Sequence, residues 1–363
     1  VLIPSILMKR SLSVFGVAAG YLLLTGATVP SKAAQDDPMR FRVDVVLVQL
    51  NVAVTDDKGN YITGLRPEDF VVTEDKIPEK ISTFEESTEV HKHMLDGSAD
   101  PGAPAEAAKN AATDADASGA LAASRISDSV FILFDTSNYM YRSFVFAQDA
   151  IADFVRSMDG YGKIAFYSYS RNLLRATTLT SDRFRLENGV RSTVAGDDAA
   201  LYNSLLLTVQ DAAPLRGRKA IVVFSNGPDN ASAVPPEDVA ELAQSTGTLI
   251  YIISTRQAQD DPASAAAFER MSRVSGGKAY FAKNWREEKN AFASIRDDLA
   301  HLYTLSYYPQ PNPNRGWRSI SVKLVGKNLQ KYHLRTRDGY RLLPANSKVP
   351  PPGPEARDNS GSR

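Results

Sequence analysis

The chain predicts an α/β fold, a mostly parallel central sheet with helices on both faces, accompanied by a small β-sandwich built from N- and C-terminal flanking strands. Three observations lead there. Between residues 128 and 301, short apolar runs alternate with stretches of helical spacing, the pattern of βαβ units. Those runs are continuously apolar rather than alternating, which marks strands buried on both faces. Residues 41–90 and 302–342 instead show strand-like alternation broken by Pro, Asn and Gly turns. A block of roughly fifty residues is too small for a secure core of its own, so the two flanking blocks are expected to come together.

Composition narrows the class. The chain has 363 residues, 43% hydrophobic and 23% charged, an ordinary globular balance. Lys+Arg and Asp+Glu both number 42, so no basic field points to nucleic acid. Cysteine is absent, which excludes disulfides, thiolate metal sites and cysteine nucleophiles.

Residues 1–33 read as an export signal: Lys9-Arg10, an apolar run over 12–27, then small residues at Ser31 and Ala33. The run is shorter than the ~20 residues of a spanning helix, so a membrane partner enters only if this segment stays uncleaved. Over 43–54 alternation predicts a well-covered strand whose Gln49 and Asn51 side is the more exposed. Strands follow at 70–74 and 80–85, with a Gly turn at 57–60 between the first and second. Residues 91–127, rich in Ala, Asp, Gly and Ser, cannot bury enough apolar surface to offset ordering entropy and read as a linker.

The organising stretch is SVFILFDTSNYM from Ser129. The strand 130–134 stops at Asp135-Thr136-Ser137, and helical spacing follows through Phe144, Ala147, Ile151, Phe154 and Val155. Further strands are expected at 163–169, 175–179, 219–224, 248–253 and 278–281. Helices are expected at 182–191 with Ser181 as N-cap, after the 195–198 turn through Leu201, Leu205 and Val209, and at 237–244, 263–274 and 285–301. Strands return at 303–308, 319–325 and 332–336, before a Pro-rich tail over 343–363 read as disordered.

Asp135 and Ser137 fall just past the carboxyl end of a buried strand, where open α/β sheets bind ligands. An Asp with a Ser two residues on offers hard oxygen donors of the kind Mg²⁺ or Mn²⁺ takes. The same pair also fits a helix cap. Asp197-Asp198 reads as a solvated turn before a helix rather than a catalytic pair. The chain has 4 histidines, His91, His93, His301 and His333, none placed beside a Ser or Asp loop at the sheet edge. No G-x-S-x-G elbow or Walker-type loop is present, so no enzyme is expected. Arg315-Gly316-Trp317-Arg318 combines cation and aromatic, as a glycan or nucleic-acid contact or as a stacked β-turn.

FILFDTSNYM, GDDAALYNSL and KAIVVFSNGPDN, in that order, resemble the motifs of a von Willebrand factor type A (VWA) domain, D-x-S-x-S, G-x-T-A-L-Y-D-A-L and T-D-G-x-D-N. With VTDDKGNYITGLRPEDFVVTED before and YTLSYYPQPNPNRGWRSISVKL after, residues 41–341 resemble the acidobacterial VWFA-related family. The resemblance implies a Rossmann-like VWA domain over 128–301, inserted into or packed beside the β-sandwich. It also implies a metal-ion-dependent adhesion site that completes a cation's coordination with an acidic group of a partner. Carried over by position, Asp135 and Ser137 match. The second Ser falls on Tyr139, the Thr on Ala199 beside Asp198, and the third-loop Asp on Asn226 near Asp229. The expected site is therefore degenerate: Asp135, Ser137, Asp198 and Asn226, with Mg²⁺ or Mn²⁺ held weakly or not at all. The resemblance implies an exported protein, periplasmic, cell-surface or secreted. It would bind another protein through an edge formed by Asp135, Ser137, Tyr139, Asp198, Asn226 and Asp229. The alternative is a structural module with no metal site that binds through its β domain.

Overall fold

The computed structural model describes residues 47–87, 128–141, 143–158, 160–254 and 260–342. The export signal, the linker and the Pro-rich tail lie outside the described residues.

Among the described residues there are three sheets, one with 6 strands and two with 4. The central one runs β10-β9-β8-β5-β6-β7. It is built from β5 (Ser129–Asp135), β6 (Lys163–Tyr169), β7 (Leu173–Thr180), β8 (Lys219–Ser225), β9 (Thr248–Ser254) and β10 (Ala279–Phe281). All its pairings are parallel except the β6–β7 hairpin. β5 is flanked by β6 on one side and β8 on the other, so the strand order reverses at β5, and it is at the carboxyl end of such a reversal that open α/β sheets bind ligands.

Alternate residues of β5 feed opposite cores. Val130, Ile132 and Phe134 pack with α1 (Phe144–Ser157), α2 (Arg183–Arg191) and α6 (Trp285–Ala300). Phe131 and Leu133 pack with α3 (Leu201–Ala212), α4 (Pro236–Thr246) and α5 (Pro262–Ser275). α2 begins one residue later than read: Asp182, not Ser181, is its N-cap and accepts the Arg185 N–H. α4 and α5 end at Gly247 and Gly276, both left-handed at φ 68° and 88°, a conformation that favours glycine.

The flanking strands form two antiparallel sheets that share a third core. One is β13-β1-β11-β4, from β1 (Val48–Thr55), β4 (Ile81–Glu86), β11 (Tyr303–Tyr307) and β13 (His333–Arg335). The other is β14-β12-β2-β3, from β2 (Phe70–Glu74), β3 (Ile77–Glu79), β12 (Trp317–Leu324) and β14 (Gly339–Arg341). Each sheet draws strands from both ends of the chain, and Val48, Leu50, Phe70, Val72, Tyr303, Leu305 and Ile320 fill the space between. β3 and β14, of 3 residues each, are not among the expected strands.

Asn51 corrects an expectation. It lies on the side of β1 expected to be more exposed, yet it is buried and its Oδ1 accepts a hydrogen bond from Thr304 Oγ1 at 3.4 Å. That side of β1 faces the α/β unit: Ala53 belongs to the core shared with α1 and α6, and Arg337 Nη2 donates to Gln49 O at 2.9 Å. Arg341–Glu241 and Gln244–Asp338 tie α4 to the strands as well. At the centre of the junction Asp298 on α6 is buried and accepts from Tyr61, Tyr251 and Arg335 at 2.7, 2.5 and 2.5 Å.

Lys219, at the amino end of β8, is buried at the same junction with no carboxylate partner among the described residues. Burial, then the charge of Arg337, lowers its pKa from 10.5 to about 8. Above pH 8 the unfolded chain holds this proton more tightly than the folded one. Stability should therefore rise with pH between about 8 and 10.5. Chemical denaturation across that range should show the rise in the wild type and a flatter profile in Lys219→Met.

Candidate functional site at the carboxyl edge of the sheet

Asp135 closes β5 and is fully buried. Its Oδ1 accepts the Ser137 N–H at 2.9 Å, tightening the turn that leads into α1, and its Oδ2 accepts from Ser225 Oγ at 2.8 Å. Tyr169 donates its phenol to the same Ser225 Oγ at 3.1 Å. Burial pushes the Asp135 carboxyl above the usual range, while these hydrogen bonds pull the other way. Ser137 Oγ is buried beside the carboxylate with no well-aligned hydrogen-bond partner. Thr136 turns away, its N–H and Oγ1 both donating to Tyr169 O at 2.8 Å.

The second loop is laced to the first through backbone: Gly196 N to Thr136 O and Asn138 N to Asp197 O, both at 2.7 Å. Asp198 is committed to an ion pair with Arg171, which comes from the β6–β7 turn. Ala199 is buried, and its N–H donates to Asn230 Oδ1 at 2.8 Å.

On the third loop Asn226 is buried behind Ser225. Asp229 is occupied as a cap for α3, whose own N-cap residue is Ala200 and has no side-chain acceptor. It accepts Tyr202 N–H and Ser232 N–H, each at 2.9 Å, and Ser232 Oγ at 2.6 Å. Asn230 bridges the loops: besides Ala199, its Nδ2 reaches Tyr139 Oη at 3.3 Å and Asp198 Oδ1 at 3.5 Å.

Residues 129–294 match the family model of the von Willebrand factor type A domain. This stretch is a VWA domain. No curated protein matches the chain. Among solved structures it is similar to BatB from Bacteroides thetaiotaomicron, a conserved hypothetical protein, at 15% identity over 47% of this chain and 98% of that one, TM-score 0.40. It is also similar to a von Willebrand factor type A structure from Catenulispora acidiphila, at 12% identity over 62% and 68%, TM-score 0.42. A further one is proximal thread matrix protein 1 from the mussel byssus, described with a zinc-occupied MIDAS motif, at 11% identity over 51% and 48%, TM-score 0.41.

The VWA edge brings Asp135, Ser137, Tyr139, Asp198 and Asn226 onto adjoining loops, as the motif order implies, but the donors do not fit a resident Mg²⁺ or Mn²⁺. Mg²⁺ takes oxygen ligands in near-ideal octahedral geometry and binds through carboxylates. Here each Asp135 oxygen already accepts a protein hydrogen bond, Asp198 is paired with Arg171, Asp229 caps a helix and Ala199 has no side-chain donor atom. Among the described residues no group of at least 3 His, Cys, Asp or Glu side chains is arranged to hold a metal. Hydrogen bonds and one ion pair link these loops directly. Asn230 lies within the quoted GPDN stretch, so its position was readable there. Arg171 was not, since its role depends on the β6–β7 turn folding back onto the second loop.

Asp135 thus carries structure through its oxygens rather than through its charge. Asp135→Ala, which strands Ser225 Oγ and the Ser137 N–H, is expected to cost about 1–3 kcal/mol in urea denaturation. Asp135→Asn keeps an accepting oxygen and should be at least as stable as the wild type at pH 7. The sign follows from the raised pKa: the folded carboxyl holds its proton more tightly than the unfolded one. The wild type therefore loses stability as pH rises from the unfolded value of ~3.9 to the folded one. Asp135→Asn should lack that slope.

Proposed function

We propose that this is an exported, non-catalytic VWA-domain protein of the acidobacterial VWFA-related type. In this reading it binds another protein through the carboxyl edge of its central sheet, without a resident cation. One observation carries the reading. Directly after the Asp135 motif, Tyr139, Tyr141, Val145 and Phe146 are exposed at 39%, 78%, 63% and 65%. Large apolar side chains clustered on a rigid surface mark interaction sites, and aromatic residues are enriched at interface cores. Val145 and Phe146 are carried by α1, and the loop that presents Tyr139 is tied by Asn230 and by the backbone bonds between the first and second loops, so less ordering entropy opposes docking there.

The test compares capture from a periplasmic or secreted protein fraction by the wild type, by Tyr141→Ser/Phe146→Ser and by Trp317→Ser on the sandwich, all with unchanged melts. Species that the wild type captures should be lost with the edge variant, kept with Trp317→Ser and unaffected by chelator. Loss with Trp317→Ser alone would support binding through the β domain instead.

A further inference from the structure

At the opposite, amino-terminal edge of the central sheet, a cavity of about 540 Å³ lies between β8, the end of α4 and the strands β1 and β11. Its lining includes Lys219 and Arg337, each more than nine-tenths buried. Among the described residues that line it there is no carboxylate. Buried cations are ordinarily paired. Arg337 spends Nη1 on Gln244 O, at the end of α4, and Nη2 on Gln49 O at 2.9 Å, but its Nε–H is buried without a hydrogen-bond partner. Lys219 Nζ, with three protons to donate, has a single long bond to Leu215 O at 3.3 Å. Glu74, whose charge acts on Arg337, is engaged with Arg318, Tyr307 and Tyr340, and Asp338 is engaged with Gln244. The two cations also oppose each other's charge, and burial holds both below their ordinary pKa values, Lys219 at about 8 and Arg337 at about 10. Leu47, Leu215 and Tyr308 add apolar surface to the same cavity.

We propose that this cavity is a binding site for a small organic anion. Its phosphate or carboxylate head would lie against Lys219, beside the charge of Arg337, and its apolar body against Leu47, Leu215 and Tyr308. The chemistry favours an oxyanion because two buried cations line the cavity and, among the described residues that line it, no carboxylate is present to pair with them. The volume falls within the ~300–1,000 Å³ of small-molecule pockets, more than a bare ion requires. This site is independent of the carboxyl edge and of any partner bound there.

The experiment titrates the full chain with inorganic phosphate, phenyl phosphate and benzoate at fixed ionic strength, by calorimetry and by thermal melt, in the wild type, Lys219→Met and the surface control Lys283→Gln. Arg337 is left unchanged because it also caps α4. The expected result is saturable binding in the wild type and the control, at least tenfold weaker in Lys219→Met. That variant should fold and, without anion, melt no lower than the wild type. Binding of phenyl phosphate without benzoate would assign a phosphoryl head, and binding of benzoate a carboxylate one. No saturable binding of any of the three, or equal binding in Lys219→Met, would overturn the proposal.

Discussion

Replacing Asp298 by alanine is expected to lower the melting temperature by about 10 °C, from a loss of about 3–5 kcal/mol. The carboxylate is buried on α6 and ends a network that spans the two parts of the fold: Arg335 from β13, Tyr61 after β1 and Tyr251 from β9. Burial alone works against the charge on Arg335, and the Asp298 carboxylate more than offsets it, leaving the guanidinium pKa raised. With the carboxylate gone, that guanidinium and the Tyr251 phenol lose the acceptor that justified burying them. Asp298→Leu combined with Arg335→Met should recover most of the loss, since an apolar pair of similar volume removes the unpaired charge. Guanidinium chloride denaturation of the singles and the double closes the cycle.

Glu74→Ala should be of similar size, about 3–5 kcal/mol, and centred in the sandwich. Glu74 is fully buried, 2.7 Å from Arg318 Nη1, and accepts the Tyr307 and Tyr340 phenols at 2.9 and 3.0 Å. It comes from the N-terminal block, while its donors come from the C-terminal one, so one side chain joins chain segments more than two hundred positions apart. Glu74→Gln keeps acceptors for the phenols and should lose less. Near-ultraviolet circular dichroism, which reports the packed tyrosines, checks both variants alongside the melts.

These two networks show what was legible in the sequence and what was not. The α/β alternation and the flanking β blocks could be read because burial on both faces leaves continuous runs such as Val130 to Phe134, and burial on one face leaves alternation. That the flanking blocks join was inferred from their size alone. The residues that join them, Glu74, Arg318, Asp298 and Arg335, carry no periodic signal, since a buried ion pair looks like any other charge in a sequence. Arg318 shows the point: read beside Trp317 as a glycan or nucleic-acid contact or as part of a stacked β-turn, it is buried against Glu74. At the sheet edge the motif order placed Asp135, Ser137, Tyr139, Asp198 and Asn226 on neighbouring loops. The commitments of Asp198 to Arg171 and of Asp229 to α3 depend on partners distant in sequence. Asn51 was misread for the same reason, because what covers β1 is supplied by the α/β unit.

The central claim is that side chains, not a cation, hold the carboxyl edge together. Thermal melts of the full chain in millimolar Mg²⁺, in Mn²⁺ and in chelator, beside the same series on Asp135→Ala, test it most directly. The wild type is expected to melt within about 1 °C in all three conditions, with Asp135→Ala lower by the same amount in each. An ion present at 100 times its dissociation constant would add ~2.7 kcal/mol. A metal-dependent rise in the wild type that Asp135→Ala abolishes would contradict the claim and restore the edge as a working metal-ion-dependent adhesion site.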